Sequence, residues 1–285
     1  GILTVGKGLE VGDTGLKVGV GGTFVTVTSG IGSVGIGTTD PQYKFDVYGT
    51  DSDYFPPMST YLEKKGITKV PFDCIDFSAY DLVIVGNVVA RASEDARQIE
   101  ESGVPFCSFP EIIGEFILKD KIVIGVSGTH GKTTTTYMLI QLMESLGVKP
   151  GYFLGGVVEG RPSSCLGDSD YFVMECDEYD TAYFEKTPKF YHYHINHLIL
   201  SSLEYDHADI YSSIDEIKKV FQNLINITGG KIVYNSDYDE IDFICESEKK
   251  GTIPFGENTS LGPRNISFKD SLTTFKVLDE VVKTN

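Results

Sequence analysis

One stretch limits the possible folds more than any other: Ile122-Val-Ile-Gly-Val-Ser-Gly-Thr-His-Gly-Lys-Thr-Thr-Thr-Thr136. An apolar run enters a glycine-rich turn, and a lysine followed by threonines leaves it. Gly128 and Gly131 let the backbone curl until several N–H groups face one anion, Lys132 adds a point charge, and Thr133 offers a hydroxyl to Mg²⁺. The pattern predicts a strand, a triphosphate cradle and a helix whose positive end faces the phosphates. Within that helix Met138, Leu139, Leu142, Met143 and Leu146 fall on one face, and Gly147 followed by Pro150 ends it. The general phosphate-loop pattern carries glycine five positions before Gly131, where Val126 stands, so the match is to the variant G-T-H-G-K-T. A mere glycine-rich turn with a surface lysine would need neither the strand before it nor the helix after it.

At 285 residues the chain exceeds the usual size of one domain, and two or more are expected. Its 41 acidic and 24 basic side chains leave a formal charge of −17. Such a surface repels phosphate backbones, which argues against nucleic acid or an anionic membrane as a partner. A nucleotide can still bind locally through backbone N–H groups and a metal ion. Cys74, Cys107, Cys165, Cys176 and Cys245 are odd in number and form no C-x-x-C pair, a pattern suited to reduced thiols in a cytoplasm. There is no charged-then-apolar leader and no apolar run of membrane-spanning length, so a cytoplasmic location is expected.

The chain divides into unlike pieces. Residues 1–49 hold 13 of the 31 glycines and a short echo, Leu3-Thr-Val-Gly6, Leu9-Glu-Val-Gly12 and Leu16-Lys-Val-Gly19, which predicts short repeated strands. Phe24-Val-Thr-Val-Thr28 alternates, and Val34 to Val47 reads as strand, turn, strand. This segment resembles the glycine-rich β repeats of phage tail fibres and related adhesins. Residues 50–118 change to α/β texture, with strands at Asp81–Gly86 and Val104–Ser108 and helices near Glu94 to Glu101 and Glu111 to Leu118. From about residue 119 to 285 the phosphate-cradle strand opens a central domain with a mostly parallel sheet. Its further strands are expected at Asp170–Glu175, Lys189–Leu200 and Lys231–Tyr234. Ser213 with Glu216 forms a capping-box signal for a helix whose apolar face is Ile214, Ile217, Phe221, Leu224 and Ile225. The last forty residues look β-like.

Two further clusters carry chemistry. Glu175-Cys-Asp-Glu-Tyr-Asp180 follows an apolar strand, where open α/β sheets place their ligands. Glu175 there can hold Mg²⁺, and Asp177, Glu178 and Asp180 are expected to crowd the same corner and repel one another without a cation. Leu203-Glu-Tyr-Asp-His-Ala-Asp209 follows the apolar run ending at Leu200, which puts the imidazole of His207, a metal-ligating group, just past a strand end. His192, His194 and His197 invite a zinc site, with the first pair on one face of a strand. That reading is set aside because no cysteine or fourth ligand is suitably spaced.

These motifs, in this order, resemble those of the Mur ligases, the ATP-dependent amide-forming enzymes of peptidoglycan synthesis. Tyr54-Phe-Pro-Pro-Met-Ser-Thr-Tyr-Leu-Glu63 and Gly155-Gly156 add to the likeness, which runs from about Gly49 to near the end. The resemblance implies an α/β fold, an incomplete Rossmann-like first domain and a phosphate-loop central domain. It also implies that Gly128, Thr129, His130, Gly131, Lys132, Thr133 and Thr134 hold the ATP phosphates. Thr133 and Glu175 would bind one Mg²⁺ and His207 a second, with Lys132, Glu175 and His207 carrying the catalysis. Asp51 and Asn87 would face the UDP-sugar.

The implied reaction joins UDP-N-acetylmuramate to the murein tripeptide L-alanyl-γ-D-glutamyl-meso-diaminopimelate, and the alternative within the family adds L-alanine alone. A rival of another class is a structural fibre protein carrying the α/β part as passenger. Three departures stand out. Ser201-Ser202 occupies a place where the family usually carries asparagine, which would loosen metal or phosphate contacts. The family's opening diphosphate loop is replaced by the fibre-like segment, in which Gly19-Val-Gly-Gly-Thr-Phe24 imitates it without a following helix. The third Mur domain is expected to be missing.

Overall fold

The computed structural model describes residues 2–6, 16–20, 23–28, 33–35, 47–50, 59–60, 63, 68–71, 74–156, 158, 160–205, 211–247, 251–269, 272–277 and 280–284. The first sheet contains β1 (Ile2–Gly6), β5 (Val47–Thr50), β6 (Thr68–Lys69), β7 (Tyr80–Val85) and β8 (Phe106–Ser108), in the order β6-β5-β1-β7-β8. β5 with β6 and β7 with β8 are parallel pairs, but β1 runs antiparallel to both neighbours, with Ile2 opposite Thr50 on one side and Val85 on the other. Thus Ile2–Gly6, part of the glycine-rich segment, lies inside this sheet.

β2 (Leu16–Val20), β3 (Thr23–Thr28) and β4 (Ser33–Gly35) form a separate antiparallel sheet. Gly19 stands opposite Phe24 and Val20 opposite Thr23, so the loop-like Gly19–Phe24 stretch joins strand to strand. It has no helix end to offer a diphosphate.

Helix α1 (Glu94–Ser102) starts at Ser93, whose hydroxyl accepts from the Ala96 N–H at 3.2 Å, and stops at Gly103 in the left-handed region. Ala96 and Ile99 are its buried side. Helix α2 (Phe109–Ile113) has a full capping box between Ser108 and Glu111, then widens into a π-helical turn over Gly114–Leu118. Gly114 explains the close packing there, because an added Cβ would lie 2.0 Å from the His192 carbonyl oxygen.

The central sheet is built from β9 (Ile122–Ser127), β10 (Gly151–Phe153), β11 (Ser164–Cys165), β12 (Tyr171–Cys176), β15 (Ile195–Leu200), β16 (Ile232–Asn235) and β17 (Thr252–Phe255). Their order is β11-β10-β12-β9-β15-β16-β17, parallel throughout except for the edge strand β11. Between β12 and β15 a hairpin intervenes, β13 (Asp180–Ala182) with β14 (Glu185–Pro188). The chain continues through α3 (Lys132–Ser145), α4 (Ile214–Ile227), α5 (Asp239–Ser247) and a meander of β18 (Arg264–Lys269), β19 (Leu272–Val277) and β20 (Glu280–Thr284). One core runs across the central sheet and into the first unit, since Ile84, Ile112, Ile113, Ile117 and Leu118 pack with Val123, Phe172, Met174, Phe190, Leu198 and Phe221. Each fully buried side chain of this size contributes about 2 kcal/mol.

Three sequence expectations change. The stretch from Lys189 to Leu200 is not one strand: Lys189–His192 is a 3₁₀ turn, and the strand begins at Ile195 after His194 at a φ of 50°. The pair His192 and His194 therefore does not share a strand face. Met138 and Leu142 in α3 and Leu146 at its C-cap are exposed, while Thr136 and Ile140 are buried against the sheet with Leu139 and Met143 beside them. The apolar pattern marks a stripe rotated away from the contact face, and threonine fits where helix and strand approach closely. In α4 Ile217, Phe221, Leu224 and Ile225 are buried as expected, but the Glu216 carboxylate accepts from the Ser212 N–H at 2.8 Å and Ser213 makes no side-chain cap.

Candidate functional site

The site grows from strand register. β12 pairs with β9 so that Glu175 lies beside Val126 and Cys176 beside Ser127, and β15 on the other flank brings Leu200 level with Ser127. Three parallel strands thus end together, and the residues just beyond them meet at one edge. This is the edge at which open α/β sheets gather ligands.

From β9 the chain turns through Gly128, at a φ of 141°, and Gly131, at a φ of 77°. A Cβ at Gly128 would fall 2.4 Å from the Ser201 hydroxyl and 2.8 Å from the Ser202 nitrogen, so both the backbone angle and the space require glycine. Gly131 is the N-cap of α3 and supplies no capping side chain. The opening N–H groups of that helix, those of Lys132, Thr133 and Thr134, have no intrahelical acceptor and carry its positive end.

The Lys132 ammonium donates to the Gly128 carbonyl at 2.7 Å and lies 3.1 Å from the nearer oxygen of Glu178. Glu178 is only 1% exposed in its side chain, so this is a buried ion pair. The Thr133 hydroxyl donates to one oxygen of Glu175 at 2.9 Å, and the other oxygen accepts from the Gly155 N–H at 2.8 Å. Gly155 must be small, because an added Cβ would stand 2.6 Å from that carboxylate. Gly156 packs just beyond, where an added Cβ would be 3.4 Å from the Thr133 methyl group.

The acidic corner is organised differently from the expected repulsive cluster. Asp177 pairs with Lys189 at 2.9 Å, Glu178 with Lys132, and Asp180 with Lys186 at 2.8 Å, while Glu175 faces Thr133. Lysines on the following hairpin and turn neutralise the corner. Among the described residues no group of three or more His, Cys, Asp or Glu converges as a ready metal cage. Tyr211 closes the floor by donating to the Glu178 carbonyl at 2.6 Å. Burial, and then the charge of Glu178, push its phenol well above the ordinary range and keep it a donor. Burial likewise raises the Cys176 thiol and holds it neutral.

Of the expected site residues, Gly128, Thr129, His130, Gly131, Lys132, Thr133, Thr134 and Glu175 come together at this edge. Asn87 lies on an exposed turn after β7 in the first sheet. Asp51 and His207 lie outside the described residues. The remaining histidines are apart from the edge: His192 contacts Glu185 at 3.0 Å, and His197 accepts from the Lys231 N–H at 3.0 Å. Glu178, Lys189, Ser201 and Ser202 were not assigned these roles from the sequence, although the nearness of Lys186 and Lys189 to an acidic run was a signal of pairing. A hydroxyl and a carboxylate 2.9 Å apart, with a cradle that only glycine permits, are suited to Mg²⁺ and phosphate oxygens.

A family model described as the Mur ligase middle domain matches residues 126–284. The UDP-N-acetylmuramate–L-alanyl-γ-D-glutamyl-meso-2,6-diaminoheptandioate ligase of Escherichia coli strain K12 is 41% identical over 217 residues, 75% of this chain and 46% of that protein. The enzyme of the same name from Haemophilus influenzae is 36% identical over 263 residues, 90% of this chain and 55% of that protein. The crystal structure of a UDP-N-acetylmuramate:L-alanyl-γ-D-glutamyl-meso-diaminopimelate ligase from Neisseria meningitides matches with a TM-score of 0.73 at 33% identity, covering 82% of this chain and 77% of that one. The chain spans about half the length of the curated relatives it matches.

Proposed function

The chain belongs to the Mur ligase family, and from that membership we propose that it serves an ATP-dependent amide ligation joining UDP-N-acetylmuramate to L-alanyl-γ-D-glutamyl-meso-diaminopimelate. The substrates are those named for the relatives, and the observation that carries the nucleotide half is the meeting of Lys132, Thr133 and Glu175 at one sheet edge. In the reaction the lactyl carboxylate of UDP-N-acetylmuramate attacks the γ-phosphorus of ATP and ADP leaves. The peptide amine then displaces phosphate from the acyl phosphate as the amide forms.

Both partners of the first step are anions, so placing positive charge is the central task. The N–H groups of Lys132, Thr133 and Thr134 and the Lys132 ammonium supply it, and Gly128 and Gly131 let the loop close around the phosphates. Thr133 and Glu175 would hold Mg²⁺, which supplies charge neutralisation and orientation of the transferring group. His207 is the proposed ligand of a second Mg²⁺, and Asp51 and Asn87 the proposed contacts to the UDP-sugar. No helix among the described residues is long and apolar enough to cross a membrane. A cytoplasmic setting is supported by five free cysteines.

Calorimetric titration with a non-hydrolysable ATP analogue tests the nucleotide half. Binding that needs Mg²⁺ is expected; its absence would remove the proposal. Supplying ATP, UDP-N-acetylmuramate and either tripeptide or L-alanine separates the acceptors, with amide product expected from the tripeptide and a preference for L-alanine assigning the other branch.

A further inference from the structure

Two serines beyond β15 hold the two peptide groups that flank His130 in the phosphate loop. The Ser202 hydroxyl accepts from the His130 N–H at 2.8 Å, and the His130 carbonyl accepts from the Ser201 hydroxyl at 2.7 Å, with the Ser202 oxygen 3.1 Å away. The backbone repeats the attachment: Thr129 N–H donates to the Ser202 carbonyl at 3.1 Å, and Ser201 N–H to the Ser127 carbonyl at 3.0 Å. The Thr129 hydroxyl accepts from the Glu204 N–H at 3.1 Å, which ties down the segment just after the serines. Asn235, at the end of β16, donates to the Ser201 carbonyl at 3.2 Å. Ser202 is buried and Gly128 touches both serines, so the clamp sits inside the fold.

A serine hydroxyl has one proton to give and can accept as well. Ser202 receives the His130 N–H, and Ser201 spends its shortest bond on the His130 carbonyl. The Thr129–His130 and His130–Gly131 peptide planes are thereby fixed, and the second of them carries the Gly131 N–H. Two donors, from Thr129 and His130, are turned toward β15. The donors left to face an anion begin at Gly131 and continue into the first turn of α3.

We propose that Ser201 and Ser202 are positioning residues that fix the peptide groups on either side of His130 and so set which backbone donors of the loop receive the triphosphate. This rests on the nucleotide reading of the loop and deepens it. Losing the serines should act on phosphate affinity more than on folding. This role also runs against the expectation that serines at these positions loosen metal or phosphate contacts.

The test compares the parent chain with Ser202→Ala, Ser201→Ala and Ile140→Val, the last a core truncation under α3 that leaves the clamp intact. Thermal midpoints, the affinity for an ATP analogue with magnesium, and amide hydrogen exchange at His130 are measured for each. Ser202→Ala should weaken the analogue about tenfold and Ser201→Ala about threefold, while Ile140→Val lowers the midpoint with affinity unchanged. Exchange at the His130 amide should accelerate in Ser202→Ala, with Val126 in β9 unaffected. Parent-like affinity in Ser202→Ala, or a His130 amide that stays protected there, overturns the inference while leaving the nucleotide reading intact. If the parent itself fails to bind the analogue, both fall together.

Discussion

At the edge of the central sheet β12, β9 and β15 finish level with one another, whereas at the matching edge of the first sheet the amino end of β1 stands between the carboxyl ends of β5 and β7. Parallel neighbours send their successive loops out on the same side, and residues far apart in sequence converge there: Thr133 meets Glu175, and His130 meets Ser202. An antiparallel strand in the middle interrupts that convergence, since the position between two loops is filled by a strand beginning. Strand direction, more than residue content, separates a sheet edge that gathers donors from one that spreads them.

The largest expected effect tests whether the central edge is a site at all. Lys132→Met should reduce affinity for the ATP analogue more than about a hundredfold and destabilise the chain by about 3 kcal/mol, because Glu178 is left buried without its cation. Adding Glu178→Gln should recover much of the stability and none of the affinity, as read by urea denaturation and calorimetry. Retained affinity in either variant would erase the distinction between the two edges.

The same small substitution made in each region sharpens it. Gly128→Ala, strained at a φ of 141° and pressed against Ser201, should cost about 3 kcal/mol, and Gly103→Ala, at a φ of 68° with open space around it, about 1 kcal/mol. Equal losses in denaturant titrations would mean that crowding at the phosphate loop adds nothing. Next in size, Glu175→Gln should weaken the magnesium-dependent part of analogue binding about thirtyfold and leave metal-free binding nearly unchanged. A loss of the same size without magnesium would point to a packing role.

The smallest effect lies between the regions. Tyr183, on the hairpin but buried in the first unit's core, has its phenol pushed up to about 12 by burial, with the Glu100 carboxylate adding to the rise. The unfolded chain releases this proton first, near the ordinary value of about 10. Its contribution to stability is therefore complete below about pH 10 and fades as pH climbs through about 12. Thermal midpoints across that window should fall in the parent and fall less in Tyr183→Phe; identical slopes would place Tyr183 outside the coupling.

What the sequence made legible followed local rules. The Gly128–Thr134 loop, the start of α3 and the buried face of α4 are set by neighbours a few residues away, and glycine spacing or helical period reveals them. The misread parts depend on partners brought by the sheet. Of the apolar face Met138, Leu139, Leu142, Met143 and Leu146, only Leu139 and Met143 pack against the core, and the fully buried positions of the helix are Thr136 and Ile140. Lysines close to the acidic run after β12 signalled pairing, but not which carboxylate each of Lys132, Lys186 and Lys189 would take, because ion pairing across a turn leaves no period. Ser201 and Ser202 looked like a weakening of the motif until register put them alongside the loop.

The hairpin β13–β14 leaves the acidic corner and lodges Tyr183 and Phe184 against the first unit, where Phe184 meets Phe106 edge-on at 5.1 Å between ring centres. Four residues separate Glu178, locked to Lys132, from Tyr183 in the other core. Any fluctuation that opens the first unit must drag on that short tether, so the least stable portion sets the opening frequency of both. Heating should accordingly produce a single cooperative transition, with amides near the nucleotide loop and those beneath α1 losing protection in step.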